Sequence, residues 1–129
     1  MQKRHVLVVT AASAALAVLA LGSPASAKDG DILVRGTCTA GSTAKLKLSE
    51  ENGRIEVEFE VDQNRNGVPW KVVLRRAGQS VASIAKTTRA PSGSFEARKV
   101  IANQAGADLV SARASRKGEV CSARATFPA

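Results

Sequence analysis

Glu56, Glu58 and Glu60 are the first residues in this chain whose type and spacing suggest chemistry. Carboxylates at every second position share one face of an extended strand. Glycoside hydrolysis uses a pair of such groups flanking a cleft at a set separation. Here they stand in a line, and Lys45 and Lys47 alternate on the preceding stretch. The row therefore reads as a solvated, salt-bridged face. Asp62-Gln63-Asn64-Arg65-Asn66-Gly67 follows and matches the opening of a calcium loop, with oxygen ligands at alternate positions and a glycine for the sharp turn. The match ends there, because Val73 stands where the bidentate Glu is required and Arg65 puts a positive charge inside the loop. Asn and Gly also supply left-handed backbone to strand connections. Residues 62–67 read as such a connection, with Asp62, Asn64 and Asn66 available as binding-loop residues. Arg89 lies in Thr87-Thr88-Arg89-Ala90-Pro91-Ser92-Gly93. An extended, Pro-stiffened loop there would offer Arg89 as an inhibitor offers a residue to a trypsin-like protease.

The missing residue types narrow the chemistry further. The single histidine is His5, there is no tyrosine, and Met1 is the only methionine. Past the first residues the chain holds no imidazole, which removes Ser-His-Asp, Cys-His and His-ligated metal arrangements. The expectation is a non-enzymatic protein with no catalytic residues, cofactor or metal.

His5 itself belongs to an export signal. Lys3 and Arg4 open a short basic region, residues 6–22 are apolar and uncharged, and Ala25-Ser26-Ala27 fits the small-x-small cleavage pattern. Residues 1–27 read as a cleavable signal peptide, and residues 28–129 as one secreted domain of ordinary size. No second apolar run follows, so no membrane span is expected in the mature chain. The only two cysteines, Cys38 and Cys121, are expected to pair in the oxidising compartment outside the cell.

Lys3 and Arg4 are the only leader residues among the 19 basic ones, so 17 remain against 11 acidic residues. A surplus of this kind draws a protein towards anionic surfaces, among them wall polymers. Arg75-Arg76, Arg98-Lys99, and Arg113 with Arg116 and Lys117 form the basic clusters. Nucleic-acid binding would want aromatics interleaved with them. The one Trp and three Phe instead alternate inwards, so no nucleic-acid partner is expected.

Elements that position these residues follow from apolar period two, the strand signal. Strands are expected over residues 32–38, 44–48, 55–61, 70–75, 80–88, 94–101, 110–115 and 121–127. A helix is at most one turn, near residues 99–104. Asn52-Gly53 is the strongest hairpin signal in the chain. As a two-residue turn it sets Leu48 opposite Val57 and Leu46 opposite Phe59. On the other face it sets Lys47 opposite Glu58 and Lys45 opposite Glu60. Trp70 is in phase with Val72 and Leu74, which predicts a buried ring rather than a sugar platform. Turns every 8–12 residues are the mark of a sandwich or barrel.

The stretch from Gly53 to Gly78, with the turn Ala105-Gly106-Ala107-Asp108 and the alternating strand after it, resembles a fibronectin-type-III or immunoglobulin-like sandwich. The resemblance implies that Phe59 and Trp70 are core aromatics on adjacent strands of opposite sheets. The tyrosine that often pins the corner before the sixth strand is lacking; Val110 sits near that place. From Val34 through Gly-Thr-Cys-Thr-Ala-Gly-Ser and Phe-Glu-Val-Asp-Gln-Asn to the last Cys strand, the chain also resembles small exported proteins of high-GC Gram-positive bacteria. These carry no assigned function.

The expectation is therefore an all-β, immunoglobulin-like antiparallel β-sandwich of seven or eight short strands with a Cys38–Cys121 disulfide. Its role would be that of a secreted binding or adhesion module for an anionic cell-wall polymer or a secreted protein. The alternative is a secreted inhibitor of an extracellular hydrolase, with Arg89 or residues 62–67 as bait.

Overall fold

The computed structural model describes residues 27–129, so the expected signal segment lies outside the described residues but for Ala27. The described chain is all-β. Its strands are β1 (Ile32–Arg35), β2 (Thr37–Cys38), β3 (Thr43–Glu51), β4 (Arg54–Asp62), β5 (Pro69–Arg76), β6 (Gln79–Thr87), β7 (Ser94–Ala102), β8 (Asp108–Arg116) and β9 (Glu119–Phe127). They form two antiparallel sheets, a first of order β1-β3-β4-β7 and a second of order β2-β9-β8-β5-β6. The chain changes sheet between β1 and β2, β2 and β3, β4 and β5, β6 and β7, and β7 and β8. The pairs β4/β7 and β5/β8 thereby interlock across the sandwich.

The β3–β4 hairpin has the register that its sequence predicts, including Leu46↔Phe59 and Lys47↔Glu58. Asn52 and Gly53 both have positive φ, 48° and 77°, which closes a two-residue turn whose twist matches the strands. A slip by one residue would turn Lys45 and Lys47 into the core. Alternation puts Leu46, Leu48, Ile55, Val57 and Phe59 on the inner face of the first sheet, all fully buried. The second sheet answers with small residues, Ala112, Ala114 and Ala125, around Trp70, Val72 and Leu74. Large side chains opposite small ones let the two faces interdigitate at crystal-like density.

The predicted first strand is broken in two, which raises the count from eight to nine. Gly36 is the break. Its N–H donates to the Ala44 carbonyl, and a Cβ there would lie 2.7 Å from the Ser122 carbonyl oxygen. Only glycine lets the backbone pass so close while it leaves one sheet for the other. Cys38 then lands directly opposite Cys121 and bonds to it, tying β2 to β9 across 83 residues of sequence. Residues 99–104 form no helical turn; they finish β7 and enter the loop after it.

Candidate basic face

The register of the second sheet decides which basic residues share a surface. Even-numbered residues of β5 and β8 point inwards and odd-numbered ones outwards; in β9 the parity is reversed. Lys71 and Arg75 on β5, Arg113 on β8 and Arg124 on β9 therefore stand on one outer face. Cross-strand partners set Val73 beside Arg113 and Arg113 beside Ser122, Arg75 beside Ser111 and Ser111 beside Arg124, and Lys71 beside Ser115. Every outward position of these strands is basic, hydroxylic or apolar; no carboxylate occurs on the face. Among the described residues none of these four cations is in an ion pair, and residues 1–26 contain no Asp or Glu. Arg35, at the end of β1, joins the same region, lining a shallow depression with Arg113 and Arg124.

The first sheet is the opposite case. Lys47 Nζ lies 2.8 Å from Glu58, Lys45 lies 3.6 Å from Glu60, and Arg98 bridges Glu56 and Glu58. The carboxylates of Glu56, Glu58 and Glu60 and the cations of Lys45, Lys47 and Arg98 thus offset one another at the centre of that face. The carboxylate row is less solvated than its sequence suggests: Glu56 is only 6% exposed. The cause is position, since β4 is a central strand and long side chains from β3 and β7 lie over its outer face. Arg98 beside Glu56 holds the Glu56 carboxyl below its ordinary value, with a hydrogen bond from Glu58 acting the same way against burial. Burial and the Glu56 neighbour push Glu58 up, against the ammonium of Lys47.

Of the basic residues singled out by sequence, only Arg75 and Arg113 belong to the uncompensated face. Arg76 points inwards, donates from Nη1 to the Ala102 carbonyl at 2.6 Å and lies 4.0 Å from Asp108. Arg98 is held by the two glutamates, and exposed Lys99 sits on the free edge of the other sheet. Arg116 caps the Trp70 ring at 5.6 Å and donates to Glu119 at 3.1 Å. Lys117 is exposed in the turn between β8 and β9. Lys71 and Arg124 give no cluster signal because each stands alone in sequence, and clustering along the chain is a poor guide to clustering on a sheet. Strand parity would have found them.

The loop residues occupy one end of the sandwich, and most of their polar groups are used to build it. Asp62 Oδ1 accepts the Asn64 N–H at 2.9 Å, and Asn64 takes positive φ, 56°. Gln63 Oε1 accepts Trp70 Nε1–H at 3.0 Å, which satisfies the buried indole. Trp70 is 3% exposed and packs on Phe95, so it is a core ring as predicted. Buried Thr88 donates from its hydroxyl to the Arg65 carbonyl at 2.6 Å and accepts the Val68 N–H at 2.9 Å. Asn64, Arg65 and Asn66 are the exposed side chains of the β4–β5 loop. The Arg89 segment is not extended. It is a tight turn in which the Gly93 and Arg89 N–H groups bond to the Arg89 and Ser94 carbonyls, and the Ala90–Pro91 bond is cis. The turn packs closely on the β4–β5 loop: a Cβ on Gly93 would come within 2.2 Å of the Arg65 nitrogen.

One polar site escaped the sequence altogether. The Glu119 side chain is wholly buried, and its carboxylate accepts the N–H groups of Ala40 and Ser42, the Ser42 hydroxyl at 2.6 Å and Arg116 Nη2. Burial works to raise its pKa, but the hydrogen bonds from Ser42 and Arg116 prevail and hold the carboxyl below its ordinary value. A carboxylate that accepts this many bonds is a poor base for Ser42. The cluster instead clamps the loop between β2 and β3 to the start of β9. Among the described residues, the one set of side chains grouped as metal ligands are is Glu119 with Cys38 and Cys121, whose sulfurs are spent in the disulfide.

Comparison with family models, with curated proteins and with solved structures finds no match to this chain. Residue chemistry and geometry alone carry the functional reading.

Proposed function

We propose that this protein is an exported, non-enzymatic binding module that docks an anionic polymer of the cell envelope through the outer face of its second sheet. The observation that carries the reading is the segregation of charge. Lys71, Arg75, Arg113 and Arg124 share a face without a carboxylate, while Lys45, Lys47 and Arg98 on the first sheet's face are paired with Glu56, Glu58 and Glu60. A flat array of like charges raises the local concentration of a polyanion and speeds encounter. Arginine adds a fork of donors suited to phosphate or carboxylate oxygens. The interlocked strand order supports an immunoglobulin-like assignment for the sandwich, a scaffold that leaves sheet faces and end loops open to partners. The leader and the disulfide support export.

Sedimentation of residues 28–129 with isolated cell walls, at low and at moderate salt, tests the proposal. The bound fraction is expected to persist at moderate salt and to fall at least tenfold in R113A/R124A. Equal binding by wild type and R113A/R124A would refute the assignment to this face. No sedimentation of the wild type at either salt would refute envelope binding.

A further inference from the structure

The cations of the basic face are not scattered. Arg124, Arg113 and Lys71 sit on the adjacent strands β9, β8 and β5, each displaced by two residues from the last. Arg113 is opposite Ser122, and Arg124 is two positions further along β9. Arg113 is likewise opposite Val73, and Lys71 is two positions back along β5. The three therefore form a straight diagonal with equal steps, each about 7–8 Å. Each also has a serine directly opposite on a neighbouring strand: Ser111 for Arg124, Ser122 for Arg113 and Ser115 for Lys71. The three cations thus lie on one line, each with a hydroxyl beside it, towards β9 for Arg113 and Lys71 and towards β5 for Arg124, and all three are exposed.

We infer that this diagonal is the track of a linear phosphodiester polymer, which crosses the strands and places successive phosphates on Arg124–Ser111, Arg113–Ser122 and Lys71–Ser115. The inference rests on the basic face being the binding surface and adds the ligand's class and its direction. An arginine fork can engage two oxygens of a carboxylate or of a phosphate, but the carboxylate's two oxygens lie in one plane. A phosphodiester spreads its oxygens tetrahedrally, so a cation takes one side and a hydroxyl another. Even spacing of the three cations matches a polymer with one anion per repeat. A lipid surface, with its mobile charges, has no use for a line. Arg75 lies off the diagonal, in the row of Arg124 with Ser111 between them, and adds charge there.

The test keeps the net charge and moves one cation. In R113S/S122R the positive charge shifts by one strand within the same row, from β8 to β9, at two exposed positions. Residues 28–129 carry every strand, the disulfide and the core, so that segment is used. Thermal unfolding first checks that the variant is as stable as the wild type. Affinity is then measured at moderate salt for poly(glycerol phosphate) oligomers of rising length and for polygalacturonate, an acidic polysaccharide.

The expected result is a steep rise in wild-type affinity up to the length that spans three cations, and a slow rise beyond it. The transposed variant should bind the long oligomer at least tenfold more weakly. If it binds as tightly as the wild type while R113A/R124A does not, the diagonal track is wrong and the basic face stands. Tighter binding of polygalacturonate than of the glycerol phosphate polymer overturns the phosphodiester assignment. Absence of binding to both polymers overturns the track and the face together.

Discussion

Glu119 shows how much a single side chain decides in a domain of this size. Its carboxylate closes the loop from Ala40 to Ser42 and holds Arg116 over Trp70. Removal leaves the buried N–H and hydroxyl of Ser42 and the part-buried N–H of Ala40 without an acceptor and takes the counter-charge from Arg116. Glu119→Ala is expected to cost about 3–5 kcal/mol, as for other buried pairs broken on one side, and chemical denaturation measures it. The pH dependence follows from the sign of the shift. A carboxyl whose folded pKa lies below its unfolded value contributes stability that is fully present above the unfolded value, about 4.3 for Glu. That contribution is lost as pH falls through the folded value. The melting temperature should therefore drop on acidification below about pH 4, and Glu119→Gln should flatten that part of the profile. An unchanged profile in the variant would assign the acid sensitivity to other carboxylates.

The same scale explains why the arginines differ in role despite similar neighbours in sequence. Arg75 and Arg76 are adjacent, yet one faces solvent on the basic face and the other fastens the end of β7. Strand parity separates them. Arg76→Ala should lower stability with little effect on polymer binding, and Arg113→Ala should do the reverse, as parallel melting and pull-down measurements would show.

Among the elements, the turns carry the clearest untested consequence. Ala77 and Gly78 join β5 to β6 with positive φ at both positions, 48° and 79°. Glycine accepts that conformation freely, whereas an alanine there costs roughly 1 kcal/mol in strain between its Cβ and the following carbonyl. The β3–β4 turn solves the same problem with Asn52-Gly53. Ala77→Asn is expected to stabilise the domain by about 0.5–1 kcal/mol, read as a higher denaturant midpoint with an unchanged slope. Ala77 is exposed, so no core contact confuses the comparison. Gly36→Ala should act in the opposite direction, because its Cβ meets the Ser122 carbonyl oxygen and backbone must shift.

β6 illustrates why some elements read weakly. Its alternation is blurred in sequence, and in the fold it is the outer strand of the second sheet, paired on one side only and half-exposed along its length. A register irregularity opposite Leu74 and Arg75 breaks the period further. Strands β3 and β4, covered from both sides, show the full alternation because each inward position is held by the core.

At the scale of the whole molecule, the disulfide and the charge distribution matter most. β2 is only two residues long, and Cys38 is one of them. Opening the Cys38–Cys121 bond enlarges the unfolded ensemble by releasing a loop of 83 residues. Replacing both cysteines by serine is expected to cost up to about 4–5 kcal/mol, measured by denaturation. The unfolding slope should rise as the unfolded chain becomes less compact. Charge is divided between the two outer faces, balanced on one and unbalanced on the other. The surplus of basic residues seen in composition is therefore concentrated where a ligand can meet it, and its long-range part should weaken with salt.

Sequence by itself determined the class of fold, the hairpin at Asn52-Gly53 with its register, the burial of Trp70 and the pairing of the only two cysteines. These follow from local rules: a side-chain period of two, turn residues at fixed offsets and the absence of any other thiol. Only the tertiary structure decided which residues meet. The split of the first strand at Gly36, the clamp at Glu119, the tight turn at Arg89 and the basic diagonal all join residues that are distant along the chain. Arg124, Arg113 and Lys71 are separate in sequence and become a line only when β9, β8 and β5 lie side by side in one register. Strand order is set by how the two sheets share a core, a property of the whole chain, and no window of neighbouring residues contains it.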